Sequence, residues 1–266
     1  MWAPPRWVIE TPVLKRLVPS LLRRYAQAAK LPFVIERRMG ALFVLEQGNL
    51  VDRSLLTRGA WEAAQVAQLR RLTAAAVSAA PGQPRVFLDI GAHGGLYAIL
   101  FSQDPGFDAV HAFEPEAENF AQLQANLLIN GLIGKVRAHE VAVSNAKGSI
   151  EIGSAARRNR GAAAVVRAEH ERSARGQRTV AAEKLDDLIG VEKTLIVAKI
   201  DVEGYELEVV DGMRQLLSRN AAVLQVECFE ANRAGLRARL AALGFQQATQ
   251  INDDLYFTRS LEHDRF

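Results

Sequence analysis

From residue 85 onward, short apolar runs alternate with stretches of helical period. Val86–Ile90 reads as a buried strand and Leu96–Ser102 as the start of a helix. Ala109–Phe113 is the next strand. Phe120, Leu123, Leu127 and Leu128 then share one helical face, with Asn130-Gly131 as its stop. Val136–Val143 reads as a third strand, which Ser149–Ile152 extends as a ribbon. Leu185–Ile189 suggests a short helix and Leu195–Ile200 a strand. A helix beginning at Glu203 then turns Leu207, Val210, Met213 and Leu217 inward. Ala222–Phe229, a helix over Arg233–Leu243 ended by Gly244, and strands at Gln247–Ile251 and Leu255–Thr258 complete the pattern. This alternation implies an α/β fold whose mainly parallel sheet is covered by helices on both faces. Its crossovers are expected to be right-handed.

Before residue 80 the pattern changes. Leu14, Leu17, Val18, Leu21, Leu22 and Tyr25 form an amphipathic stripe with basic residues between them, interrupted by Pro19. A small hairpin (33–50) and a helix (59–80) follow, and Ala80-Pro-Gly-Gln-Pro84 is a turn-rich joint. The chain is therefore divided into an N-terminal helical and hairpin extension, 1–80, and a main domain, 81–266.

Composition narrows the class. With 266 residues, 49% hydrophobic and 24% charged, the chain has the balance of an ordinary globular protein. Cys228 is the only cysteine, so an internal disulfide and a cysteine-cluster metal site are excluded. The formal charge of +3 does not by itself imply a nucleic-acid partner. Basic residues concentrate in two places, before residue 30 and in Arg157, Arg158, Arg160, Arg167, Arg172, Arg175 and Arg178. The second run reads as a long loop, either a solvated face or a lid over an anionic substrate. It lacks the interleaved aromatics of a nucleic-acid stacking surface. The N-terminal stripe reads as docked on the core or a partner subunit, or as a basic helix lying on a membrane surface. No apolar run reaches the roughly 20 residues of a membrane span, and the N-terminus lacks a signal peptide's apolar run. The default expectation is cytoplasmic.

Three segments carry chemistry. In Asp89-Ile-Gly-Ala-His-Gly-Gly-Leu-Tyr97, Gly91 and Gly95 bracket a tight strand-to-helix turn, where backbone approaches a ligand closely or where the turn simply needs glycine. The dinucleotide fingerprint and the Walker lysine are absent. Glu114 follows Asp89 by 25 positions, at the end of the next strand. An acid at that distance accepts hydrogen bonds from ribose hydroxyls in nucleotide-binding α/β folds, or stabilises the dipole of the following helix. Two such carboxylates suit a neutral or cationic adenosyl ligand and repel a pyrophosphate. The third segment, Lys199-Ile-Asp-Val-Glu-Gly-Tyr-Glu206, places Asp201 and Glu203 at a strand's carboxyl end, where ligands bind in open sheets or where acids cap a helix. His111, His139 and His170 read as isolated structural or surface residues.

Together these segments resemble the FkbM family of methyltransferases. Asp89–Tyr97 is similar to that family's cofactor loop, with His93 where the family usually has Asn. Ala112-Phe-Glu-Pro115, with Asn119, Leu123, Asn126 and Asn130, is similar to its second motif. Lys199–Glu206 matches its most distinctive stretch, and Gln225–Cys228 the strand after it. The resemblance implies a Rossmann-like class I methyltransferase fold with a seven-stranded sheet. It also implies S-adenosylmethionine as cofactor and methyl transfer to a hydroxyl on a sugar, glycan or secondary metabolite. Asp89, Gly91, Ala92, His93, Gly95 and Tyr97 would hold the methionine part. Glu114 and Pro115 would meet the ribose, and Ala142, Val143 and Ser144 the adenine. Asp201, Glu203 and Glu227 are candidate bases for the acceptor's proton, with Lys199 positioning the group and Asp201 also near the cofactor. A variant has Asp201 and Glu227 hold Mg²⁺. Two other classes remain: a non-catalytic binding module on the same fold, and an NAD-dependent oxidoreductase. The acceptor, a small molecule or glycan that the arginine run would favour as an anion, is not readable from these residues, nor is the oligomeric state.

Overall fold

The computed structural model describes residues 33–46, 48–153 and 177–260. The N-terminal stripe, His170 and the arginines from 157 to 175 lie outside them. A hairpin of β1 (Phe33–Arg38) and β2 (Ala41–Glu46) leads into α1 (Leu50–Arg58) and α2 (Ala63–Ala79). The main run is β3 (Arg85–Ile90), α3 (Leu96–Gln103), β4 (Ala109–Phe113), α4 (Ala117–Ile129), β5 (Val136–His139), β6 (Ala142–Val143) and β7 (Gly148–Gly153). It continues through β8 (Gln177–Glu183), α5 (Leu185–Leu188), β9 (Leu195–Ile200), α6 (Glu206–Gly212) and α7 (Arg214–Arg219). It closes with β10 (Ala221–Glu227), α8 (Glu230–Ala242), β11 (Gln246–Ile251) and β12 (Asp254–Arg259).

Seven strands form the central sheet in the order β11-β12-β10-β9-β3-β4-β5. Strands β10, β9, β3, β4 and β5 run parallel, and β12 is antiparallel to both β10 and β11. Strand order reverses beside β3, which puts a crevice outside the carboxyl ends of β3, β4 and β9. The two faces follow from the strand period of two. Phe87, Val197 and Val223 point into the core under α1–α4 and the hairpin. Leu88, Ala198 and Leu224 point into the core under α5–α8. The segment before residue 80 thus shares the first core: Phe43, Leu45, Leu55 and Leu69 are fully buried there.

One row breaks the apolar rule. Asp89, Lys199 and Gln225 are register partners on three adjacent strands, on the α1–α4 face, and all are buried. Burying such groups is costly unless they bond one another, so this row marks where the fold gives up packing energy for polar chemistry.

Several elements differ from expectation. The stretch 136–143 is two strands: β5 stays in the central sheet, and the chain breaks at Glu140-Val141 so that β6 joins a separate sheet, β6-β8-β7. Residues 149–152 accordingly pair with β8 and do not extend β5. The hairpin stops at Glu46, and α1 follows, capped by the Asn49 side chain accepting from Val51 N. Glu203 precedes its helix, in a turn with φ 49°, and the 206–219 helix is divided at Met213. Leu128 is 67% exposed, outside the stripe of Leu123 and Leu127. His111 and His139 are partners on neighbouring strands, with Nδ1 and Nε2 3.1 Å apart and stacked rings. Among the described residues, no helix is long and apolar enough to cross a membrane.

Candidate active site

Two connected cavities lie at the carboxyl edge of β3, β4 and β9, one of about 370 Å³ and one of about 60 Å³. Gly91, His93, Glu62, Trp61, Val51 and Asp201 line both.

The loop after β3 is held from below. Asp89 Oδ2 accepts from Ala98 N at 2.7 Å, capping an open amide in the first turn of α3. Burial pushes the Asp89 carboxyl up to about 7. Gly91 has φ 80°, and a Cβ there would lie 1.8 Å from the Asp201 carbonyl oxygen. Gly95 has φ 83°, and a Cβ would lie 2.4 Å from Leu123 Cδ1. These glycines permit close approach to the protein itself, and Gly91 also lines both cavities. Gly95 caps α3. Ala92 and Tyr97 line the smaller cavity.

Glu114 is 5% exposed on the wall of the larger cavity. His93 N donates to its Oε2 at 2.8 Å, and Glu116 N donates to its Oε1 at 2.8 Å. Burial still lifts its carboxyl to about 7. Beside it the wall is apolar: Phe113, Pro115, Val141, Val143, Ile150 and Ile152. Ala142 also lines this wall. Ser144 stands behind it, its Oγ 3.1 Å from the Tyr205 hydroxyl.

The floor is a buried charge cluster. Lys199 Nζ lies 3.3 Å from Glu62 Oε2, 3.3 Å from Asp201 Oδ2, 3.6 Å from Glu227 Oε2 and 3.8 Å from Asp254 Oδ1. Burial alone would lower the lysine's pKa, but Asp201, Glu62, Tyr97 and Asp254 together outweigh it and hold the ammonium well above its usual range. The Tyr97 hydroxyl donates to Glu62 Oε2 at 2.7 Å and accepts from Gln225 Nε2 at 2.9 Å. Burial, then the Asp201 charge, pushes Glu227 up to about 8. The same two causes lift Glu203 to about 7.

Three non-glycine residues of this lining have left-handed backbones: Glu62 (φ 48°), His93 (φ 50°) and Glu203 (φ 49°). Such strain persists only where surrounding structure enforces it, and it gathers at functional sites. His93 is fixed further by Asn49 Nδ2, which donates to its Nε2 at 2.7 Å.

The sequence-predicted bases Asp201, Glu203 and Glu227 converge on the larger cavity, with Lys199 beneath. Glu62 and Asn49 were not anticipated, because both come from the segment before β3 and reach the site only through the tertiary fold. Glu62, Asp201 and Glu227 offer carboxylate oxygens within 4.8 Å of one another, a spacing that could hold a cation. Lys199 already places its ammonium within 3.6 Å of an oxygen of each. A dication would be repelled by that buried charge, so the cluster is built around a lysine and the Mg²⁺ variant is set aside.

The donor set fits a cationic nucleoside. The described lining carries seven carboxylates (Asp52, Glu62, Asp89, Glu114, Asp201, Glu203, Glu227) against one lysine. Beside Glu114, which suits a ribose diol, the apolar wall suits a flat base.

This strand order, with an antiparallel β12 and a crevice at the sheet's carboxyl edge, defines a Rossmann-like class I methyltransferase fold. The chain matches the methyltransferase FkbM domain over residues 89–246 and belongs to that family. Among solved structures it is similar to the FkbM methyltransferase of Methylobacillus flagellatus KT, at 17% identity and a TM-score of 0.46, covering 66% of this chain and 44% of that one. The chain therefore spans less than half the length of that protein. It is also similar to the N-terminal domain of human METTL16 in complex with SAH, at 14% identity and a TM-score of 0.43, covering 94% and 82%. A human methyltransferase 10 domain containing protein gives 14% identity and a TM-score of 0.42, covering 73% and 80%. No curated protein matches the chain.

Proposed function

We propose that this chain is an S-adenosylmethionine-dependent methyltransferase that methylates a hydroxyl oxygen on a sugar, glycan or secondary metabolite. The observation that carries the reading is the buried Glu114, bonded by two backbone amides, between an apolar wall and the Lys199 carboxylate cluster. Glu114 would hold the ribose, the wall from Pro115 to Ile152 the base, and the 91–93 backbone with Asp201 the methionine part. Bound there, the cofactor supplies a methyl group on a cationic sulfur, open to in-line attack.

The chain's own tasks are alignment, exclusion of water and acceptance of a proton. Trp61 and Val51, from the segment before β3, line both cavities and shield the charge cluster. Glu227, pushed up to about 8, is mostly protonated at neutral pH and is therefore less available as the acceptor of a further proton. Asp201, fixed by Lys199 at 3.3 Å, is the favoured proton acceptor, with Glu203 beside it. An anionic acceptor would find only Lys199 as a counter-charge among the described lining residues, already shared by four carboxylates. A neutral polyol fits better. A pyrophosphate would meet the same carboxylates, which disfavours an NAD-dependent oxidoreductase.

Isothermal titration with S-adenosylmethionine and S-adenosylhomocysteine tests the reading, with Glu114→Ala as control. Binding that the substitution abolishes supports it. No binding by the wild type turns the chain into a non-catalytic module on the same fold.

A further inference from the structure

We propose that Glu62, contributed by the segment before the family-matched span, is a specificity-determining residue of the cofactor site that favours the cationic methyl donor over its neutral thioether product. This rests on the reading of the cavity as an S-adenosylmethionine site. Glu62 lines both cavities, and its side chain is 12% exposed. Two donors, the Tyr97 hydroxyl and Lys199 Nζ, converge on its Oε2 and fix the carboxylate in place. The backbone beneath it is left-handed at φ 48° and ψ 35°. A glutamate gains nothing from that conformation, so the surrounding contacts impose it.

Charge gives this placement its consequence. The smaller cavity is lined by the 91–94 turn together with Glu62, Lys199 and Asp201. Lys199 is the one cation of the described lining, and the two carboxylates Glu62 and Asp201 each face it at 3.3 Å. The cluster therefore keeps a negative excess, next to the turn that would hold the methionine part. S-adenosylmethionine and S-adenosylhomocysteine differ there by one methyl group and one positive charge. A carboxylate held in a partly dry cavity distinguishes such a pair far better than an apolar wall does.

The test is titration calorimetry of the full chain with each ligand, on wild type, Glu62→Gln and Glu62→Asp, with a thermal melt of each variant. The wild type is expected to bind S-adenosylmethionine more tightly than S-adenosylhomocysteine. Glu62→Gln keeps the size and loses the charge. It is expected to weaken S-adenosylmethionine about tenfold and leave S-adenosylhomocysteine within about twofold. Glu62→Asp is expected to retain the preference. Equal weakening of both ligands by Glu62→Gln would mean a packing role and overturn the proposal, as would no effect on either. If Glu62→Gln does not fold, the wild type still decides: equal affinities, or a tighter product, overturn it. A wild type that binds neither ligand overturns the underlying cofactor reading instead.

Discussion

The carbonyl oxygen of Asp201 occupies the space where Gly91 would carry a Cβ, and the two would be 1.8 Å apart. Gly91 N donates to Phe113 O at 2.9 Å, and Asp201 N donates to Ile90 O at 2.9 Å. The ends of β3, β4 and β9 are thus locked at the point where the two cavities meet. The loop after β3 and the Asp201 backbone are packed directly against each other.

Gly91→Ala is expected to cost about 3 kcal/mol or more, since it adds a clash with backbone to a left-handed φ. Urea denaturation would show it as a lowered midpoint. Gly148→Ala is the control, because nothing lies within 4 Å of the place its methyl would take and its φ is ordinary.

Asn126 ties the early segment to the same loop. Its Oδ1 accepts from Val44 N at 2.6 Å and its Nδ2 donates to Gly94 O at 2.8 Å. One turn on, Asn130 exchanges two bonds with the Leu42 backbone, while Gln122 donates to Val44 O. These amides satisfy the open edge of β2 in place of another strand. Asn126→Ala is expected to cost about 2–4 kcal/mol, because it leaves a half-buried amide at Val44 and a buried carbonyl at Gly94 without their partner. Hydrogen exchange at Val44 should accelerate ahead of exchange at Val197 in the central sheet.

Affinity for the cofactor should depend on pH. Glu114 and Glu203 are raised to about 7 and Glu227 to about 8 by burial. At pH 6 these groups are mostly protonated, and above pH 8 mostly ionised. A cation favours the ionised forms, so S-adenosylmethionine binding should tighten from pH 6 to 8.5 and release protons near pH 7. Lys199, held above its usual range, stays charged throughout and does not reverse the trend. Calorimetry in buffers of different ionisation enthalpy measures the proton release directly, and a flat profile would contradict the carboxylate assignment.

Much of the parallel sheet was legible because its strands are apolar runs of the right length. Legible too were the acids at their carboxyl ends, since Asp201 follows β9 directly, Glu203 comes two residues later and Glu227 is the last residue of β10. Glu62 was not, because its bond to Lys199 joins residues 137 positions apart. The amides Asn126 and Asn130 could be quoted as part of a motif, but their role needs β2, which pattern alone does not bring beside α4. The break at Glu140-Val141 was hidden for a similar reason: the β-branched and small residues of 136–143 read as one strand, and local pattern does not reveal that its two halves pair with different sheets.

A crystal structure of the chain with S-adenosylhomocysteine tests the central claim most directly. The account expects the ligand in the 370 Å³ cavity, with its ribose hydroxyls on the Glu114 carboxylate and its sulfur toward Asp201 and Glu62. Ligand bound away from Glu114, or with its ribose against another element, would contradict it.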